Sequence, residues 1–510
     1  MDWRSEYSPC GGREVRLIRL RSFSSQFLVS LLSSKPFFPS GSSSQFCTSP
    51  LKMIKGFGQP WRTVRTRFAT SLTISCVLLQ ILFLGNLSYL YGTQFQESSR
   101  VHNLNLLYVD YDGGVVGQSV IDAYGLLAAD SFPTIQQSRP ESFPTLADVR
   151  TAVCKGDYWG AVYAFPNGSE SLSSAIANGE NAPVTLGIVW NGARYAAFMQ
   201  SAVYSNILTL IQATRSTYYA NNASAMSNML SDQSALQAFL DPIQATEINI
   251  KPTNQGSRVL YNSVSMIMPI IMQFFCMMAL NGVSSEFNLF TSLGWHANGF
   301  IRLLVSIIYT LVSSLCTTGY IWAFKETWDM NSNQFVLTWI VYWLYMHINF
   351  LIFDILTTFV PMQYMAFCVL TWMILNVSSA LSPFELNPGF YRWGYTLPSH
   401  EAYQLLGQIW SNGCNNQLHI ALPILFSWWV VGIVVVVYAT YYRCNTALAL
   451  QAKSGAPEIH SLPDEESKTP PGSSDGMLVR DRRGTVESIR LERVVYGPSY
   501  PSISQTLRAQ

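Results

Sequence analysis

Charge is what this chain most lacks. Only 12% of its 510 residues are Asp, Glu, Lys or Arg, about half the ~25% of an average soluble domain. A water-soluble fold of this length needs more charge to cover its surface. The deficit is concentrated in a few windows, which makes lipid the solvent for those windows. The net charge is +1, so the basic footprint of a nucleic-acid binder is missing. Nine cysteines stand singly, with no CxxC pair and no zinc spacing, which argues against a disulfide scaffold and a metal centre. The chain also has no GxxxxGK[ST] phosphate loop, no GxSxG, no HExxH and no paired carboxylates within an apolar stretch, and its six histidines are dispersed. No catalytic residue, metal or cofactor is assigned, and the chain is not expected to be an enzyme.

Six apolar windows long enough to cross a ~30 Å hydrocarbon core remain. They are residues 69–91, 259–283, 300–324, 335–360, 362–381 and 418–442. The fourth and fifth are separated by a turn at Pro361 and read as a helical hairpin. The expected fold class is an α-helical polytopic membrane protein of about six transmembrane helices, with an α/β exoplasmic domain between the first and second. Lys52, Lys55, Arg62, Arg65 and Arg67 flank the entry to the first window, against Arg100 on its far side. The positive-inside rule then places both termini in the cytosol. A cleaved signal peptide competes for the first window, but its apolar core would be ~7–15 residues and close to the chain start. A signal anchor fits better.

Residues 1–60 are Ser-rich and are expected to be a disordered cytosolic tail, with Met53 an alternative start. A transit peptide over Arg13 to Arg21 is opposed by Asp2, Glu6 and Glu14. Residues 443–510 are expected to form a second disordered cytosolic tail, in which Arg482-Arg483-Gly484-Thr485 matches a basophilic phosphorylation site.

Residues 100–258 have ordinary soluble composition and carry two glycosylation sequons, at Asn167 and Asn222, on the side that charge places outside. Strand patterns at 104–109, 158–165, 184–189 and 247–250 alternate with helical patterns at 116–129, 193–219 and 223–239. This predicts a mixed α/β domain large enough for its own core. Residues 382–417 form an aromatic-rich outer loop, whose stretch His400 to Trp410 is amphipathic and expected to lie flat at the interface. Cys154 and Cys414 are the two outer cysteines, and the sequence leaves their pairing open.

Polar groups inside the windows are the candidate functional residues, because each is costly in lipid. Asp354 and Arg302 lie near the cytosolic ends of their windows and can meet there; His347, Asn349 and Asn376 lie deeper. Each has a structural reading as an ion pair or interhelical hydrogen bond and a functional one as the lining of a substrate path.

Particular runs resemble a known family. Residues 375–379 (LNVSS), 382–386 (SPFEL) and 388–400 resemble the fungal nitrosoguanidine-resistance membrane proteins, as do Val109 to Gly114 (VDYDGG) and Asp157 to Ala161 (DYWGA). The most specific part is the loop holding Pro383, Phe390, Tyr391, Arg392, Trp393, Gly394, Tyr395 and Pro398. The resemblance covers residues 60–445 and extends, more distantly, to the phage-infection-protein group and type-two ABC permeases. It implies efflux or membrane-lipid organisation, with membrane lipid and small amphipathic compounds as partners, and it supplies no catalytic residue. One departure stands out: residues 284–299, where the permeases dock their ATPase, hold only Glu286 and His296 as ionisable groups. No ATPase partner is therefore expected, while a homo-oligomer is compatible. The expectation is a permease-like protein of the plasma membrane, with endomembranes as the alternative location and a scaffold or sensor as the alternative function.

Overall fold

The computed structural model describes residues 59–226 and 241–455. Met53, the expected N-terminal tail up to residue 58, residues 227–239 of the helix expected at 223–239, and the Arg482–Thr485 match lie outside the described residues. By internal contacts the chain divides into Met1–Thr73 and Ile74–Gln510. The second unit holds the sheet and five of the six long apolar helices in full.

Helix α1, Gln59–Thr93, contains the first apolar window. Strand β1, Asn105–Asp110, follows, then α2, Val115–Leu127; β2, Thr134–Ser138; α3, Leu146–Lys155; β3, Gly160–Ala164; α4, Gly168–Asn178; and β4, Val184–Trp190. Helix α5, Ser205–Met226, is entered through a π-helical turn at Met199–Tyr204, and β5 is Gln244–Asn249. The five strands form one sheet in the order β2-β1-β3-β4-β5. All neighbours are parallel except β3 and β4, which are antiparallel.

Strand β1 is buried on both faces because its alternate residues serve two cores. Leu106 and Tyr108 join the core shared with α2 and α5, while Leu107 and Val109 join Val149 and Val153 of α3. The VDYDGG run makes the turn into α2. Asp110 accepts from the amides of Asp112 and Gly113, each at 3.0 Å. Asp112 accepts from the amides of Gly114 at 3.2 Å and Ser169 at 2.8 Å. These carboxylates sit at the N-terminus of α2, where the helix dipole favours negative charge. A side chain at Gly117 would overlap Asp110, so glycine is needed there.

The remaining five long apolar helices are α6, Val264–Glu286; α7, Trp295–Ala323; α8, Ser332–Phe359; α9, Met365–Leu381; and, after α10 (Pro398–Trp410), α11, Leu418–Gly455. With α1, six described helices are long and apolar enough to cross a membrane. The α/β region stands between the first and the rest. Helix α8 is the centre of the bundle: it packs on α6, α7, α10 and α11, and its second half from Leu344 to Phe353 is nearly all buried.

Four expectations are corrected. The domain's core is its own on one face only: Leu107, Val109, Val149 and Val153 form a separate cluster, while Val162 and Ile188 belong to the same apolar cluster as Tyr342, Leu406 and Trp410. Residues 382–417, expected as a loop with helical spacing only over His400 to Trp410, also hold a 3-10 helix, Gly389–Thr396, ahead of α10. The stretch expected flat at the interface is instead buried on opposite faces, because Tyr403 packs on Tyr195 of the domain while Trp410 bonds Thr338 of α8. The stretch expected as a tail from 443 onward is helical as far as Gly455, because α11 continues past its apolar window.

Candidate functional site

Two polar stripes run along α8. Gln334, Thr338, Tyr342, Tyr345 and Asn349 recur at helical spacing and are all buried. His347 and Asp354, two turns apart, point to a different pair of neighbours.

The first stripe holds α10 in place. Gln334 donates to the carbonyls of Ile409 at 2.8 Å and Trp410 at 3.2 Å, satisfying the open end of α10. The Trp410 indole donates to Thr338 at 3.1 Å. Tyr345 donates to the Met266 carbonyl at 3.0 Å and lies 2.5 Å from the Ser399 hydroxyl. Asn376 accepts from the Ser399 amide at 3.3 Å, at the N-terminus of α10. The Trp372 indole donates to Asn349 at 2.8 Å. Asn349 and Asn376 thus serve interhelical bonding.

The second stripe faces α7 and α11. The Trp429 indole donates to His347 Nδ1 at 3.0 Å, which leaves the ring proton on Nε2, 3.2 Å from Ser306. One turn before Ser306 on α7, Arg302 grips Asp354 with its Nη2 at 2.5 Å and Nε at 3.2 Å. Arg443 of α11 reaches the same carboxylate at 3.1 Å. Asn281 of α6 accepts from Arg302 at 3.0 Å and from Arg443 at 3.1 Å, and Met277 sulfur lies 3.2 Å from Arg302. Both guanidiniums lie over the Phe290 ring, at 5.9 and 5.5 Å. Arg302, Asp354 and Arg443 are only 2, 2 and 5% exposed. Four helices therefore meet at one carboxylate and two cations, at the end of the bundle away from the domain.

A cavity of about 220 Å³ opens beside this cluster, lined by Arg302, Asp354 and apolar residues of α7, α8 and α11. Arg302 Nη1 is buried and has no hydrogen-bond partner. Of the candidates, Asp354 and His347 share one side of α8, and Arg302 meets Asp354 from α7. Arg443 was missed, because it follows the sixth apolar window and reads as a flanking charge. Only the continuation of α11 past residue 442 turns it into the bundle.

At the domain end, the family-motif loop builds an aromatic junction. Phe384 lies 4.3 Å from the Tyr395 ring and 4.8 Å from the His400 ring, and a side chain at Gly394 would overlap Phe384. Tyr391 and Trp393 pack on Tyr89 of α1 at 5.0 and 6.0 Å. Pro383 lines a cavity of about 110 Å³ with Arg194, Tyr395, His400 and Glu401. Pro398 is the first residue of α10. Phe390 and Arg392 are both exposed. Burial pushes the Glu401 carboxyl up to about 7. It also pushes the His400 imidazole down to about 4, against the bond to the Ser379 carbonyl. Cys154 and Cys414 form a disulfide that ties α3 to the segment before α11. Beside it, Asn415 and Asn416 donate to the carbonyls of Cys154 at 2.6 Å and Lys155 at 3.1 Å.

The two sequons differ. Asn167 is exposed at the start of α4, whereas Asn222 is half-buried within α5 and donates to the Tyr218 carbonyl at 3.0 Å.

The model of a family described as "Protein of unknown function (DUF3533)" matches residues 75–434, a span that holds both stripes of α8 and the aromatic junction. The chain is also 23% identical over 375 residues to a Saccharomyces cerevisiae protein described as an uncharacterized endoplasmic reticulum membrane protein, YJR015W. That alignment covers 66% of this chain and 71% of the yeast protein. No solved structure matches.

Proposed function

The chain belongs to the DUF3533 family and is a multi-pass membrane protein, and from that premise we propose that it is permease-like, moving an amphipathic compound or lipid or altering its distribution between leaflets. The observation that carries this reading is the Arg302–Asp354–Arg443 cluster opening onto an apolar cavity. Ionisable residues buried between membrane helices are rare, and those facing a cavity are candidates for a substrate path. A purely structural contact at this place is served as well by apolar packing. Gln273 of α6, fully buried with neither side-chain atom bonded, adds to this. An orphaned buried amide suits a bundle with a second arrangement. The resemblance to nitrosoguanidine-resistance proteins points the same way, toward efflux or lipid organisation.

A proton relay through His347 is disfavoured, because its Nδ1 already accepts from Trp429. The domain belongs on the exoplasmic or luminal side, where a disulfide persists and the exposed Asn167 meets glycosylation machinery. The yeast relative's description favours the endoplasmic reticulum over the plasma membrane.

A second reading, a scaffold or sensor, draws support from the coupling of domain to bundle. The disulfide and the shared core would transmit binding in the ~630 Å³ groove lined by Arg150, Lys251 and Asp329. Purified protein in liposomes separates the two. Movement of a fluorescent lipid or amphiphile above protein-free vesicles supports the permease. Ligand binding with no movement supports the sensor.

A further inference from the structure

We propose that the cavity beside Arg302 is a binding site for a single membrane phospholipid, its phosphate against the Arg302 guanidinium and its acyl chains along the wall between α7 and α11. The first ground is an unused donor. Arg302 is 2% exposed and lines the cavity, and its Nη1 has no acceptor. A buried guanidinium nitrogen without an acceptor is costly, and a phosphate oxygen is the acceptor that best matches its fork.

The second ground is charge. Two guanidiniums, those of Arg302 and Arg443, share the Asp354 carboxylate. Asp354 also lines the cavity, but both guanidiniums already hold it. An incoming anion therefore meets a carboxylate whose charge two guanidiniums already engage. His296 is the other ionisable lining group.

The third ground is depth. At ~1.5 Å per residue, Arg443 lies roughly 37 Å along α11 from Leu418. That exceeds a ~30 Å hydrocarbon core and reaches the headgroup layer of the leaflet opposite the domain. The remaining wall, with Phe300, Leu303, Ile433, Val436 and Val437, is the apolar surface an acyl chain needs. Cavity, donor and depth together fit an anchored lipid better than a free ion.

This site deepens the permease-like reading and rests on it for purpose, yet binding is measured without any movement. The full chain is purified into nanodiscs of phosphatidylcholine with phosphatidylserine, and lipid retained after transfer to detergent is read by native mass spectrometry. The wild type is expected to keep one phospholipid. Two variants test the place. Gly299 lines the cavity, and the nearest atom to an added Cβ is Thr440 Cγ2 at 3.9 Å. Gly299→Leu therefore has room for its Cβ and adds bulk to the cavity while leaving Arg302, Asp354 and Arg443 unsubstituted. Arg302→Gln removes the donor. Each is expected to lower retention about tenfold or more, the effect of losing a charged hydrogen bond or its space. Should Arg302→Gln fail to fold, Gly299→Leu alone decides. Equal retention by wild type and Gly299→Leu overturns the proposal. So does displacement of the lipid by millimolar inorganic phosphate, which would make this a free-anion site. Retention without lipid movement in liposomes keeps the site and removes the permease.

Discussion

At the domain end of the bundle, Gln334, Thr338, Tyr345 and Ser399 close around α10 through neutral hydrogen bonds, backed by aromatic rings and a disulfide. At the opposite end the same helix α8 presents Asp354 to two guanidiniums beside a cavity. Both ends are buried. The first is joined by neutral hydrogen bonds, although Arg194 Nε and Nη1 nearby have no partner, and the second is joined by charges, with Arg302 Nη1 left without an acceptor. A neutral network fixes geometry, whereas a charged cluster with a spare donor stays responsive to an incoming anion. The domain end thus reads as the rigid frame and the far end as the working site.

The largest effect is expected at the charged end. Asp354→Ala leaves two buried guanidiniums without their counter-charge, a loss of about 3–5 kcal/mol, and should abolish a monodisperse peak in size-exclusion chromatography. Asp354→Asn with normal expression and normal activity would reduce the cluster to a structural contact. At the frame end, reduction or the Cys154→Ser, Cys414→Ser pair should cost about 2–4 kcal/mol. It should also lower Tm while leaving the charged end intact.

The frame also carries a pH signature. Glu401 titrates near 7 when folded against an ordinary 4.5, so the folded state holds its proton longer and stability falls as pH rises from 4.5 to about 7. His400, lowered from 6.5 to about 4, works oppositely, and its contribution is lost as pH falls below 6.5. Glu401→Gln should therefore gain stability over the parent progressively from pH 4.5 to 7, by roughly 3 kcal/mol, read as the difference in thermal unfolding curves.

Smaller still is Gly92→Val on α1, where a Cβ would overlap the Tyr391 hydroxyl. Overpacking of about 1–2 kcal/mol is expected, visible as lost protection of residues 89–93 in hydrogen exchange. Arg392→Ala, at an exposed position, should change stability by less than about 0.5 kcal/mol. A large loss of activity there would move the working site toward the domain end.

Much of the architecture was legible because apolar windows and a shift to soluble composition are strong signals. Strand β2 was not, since Thr134-Ile135-Gln136-Gln137-Ser138 is a polar edge strand without alternation. Helix α3 was overlooked although Thr145 and Asp148 form its capping box. Asp354 and Arg302 were visible as polar residues at matching depth. Arg443 and Glu401 were not, because a charge beside an apolar run reads as solvated until packing buries it. The burial of α10 was equally hidden: an amphipathic pattern does not reveal that its polar face will meet a domain rather than water.

Handling of an amphiphile at the charged end of the bundle is tested most directly in phosphatidylcholine–phosphatidylserine liposomes holding either wild type or Gly299→Leu. Quenching of a headgroup-labelled lipid in the inner leaflet reports its movement. Wild type is expected to expose the label faster than protein-free vesicles, and Gly299→Leu to fall to the protein-free rate. Label exposed equally by both proteins, or by neither above the protein-free rate, would contradict a working site at Arg302.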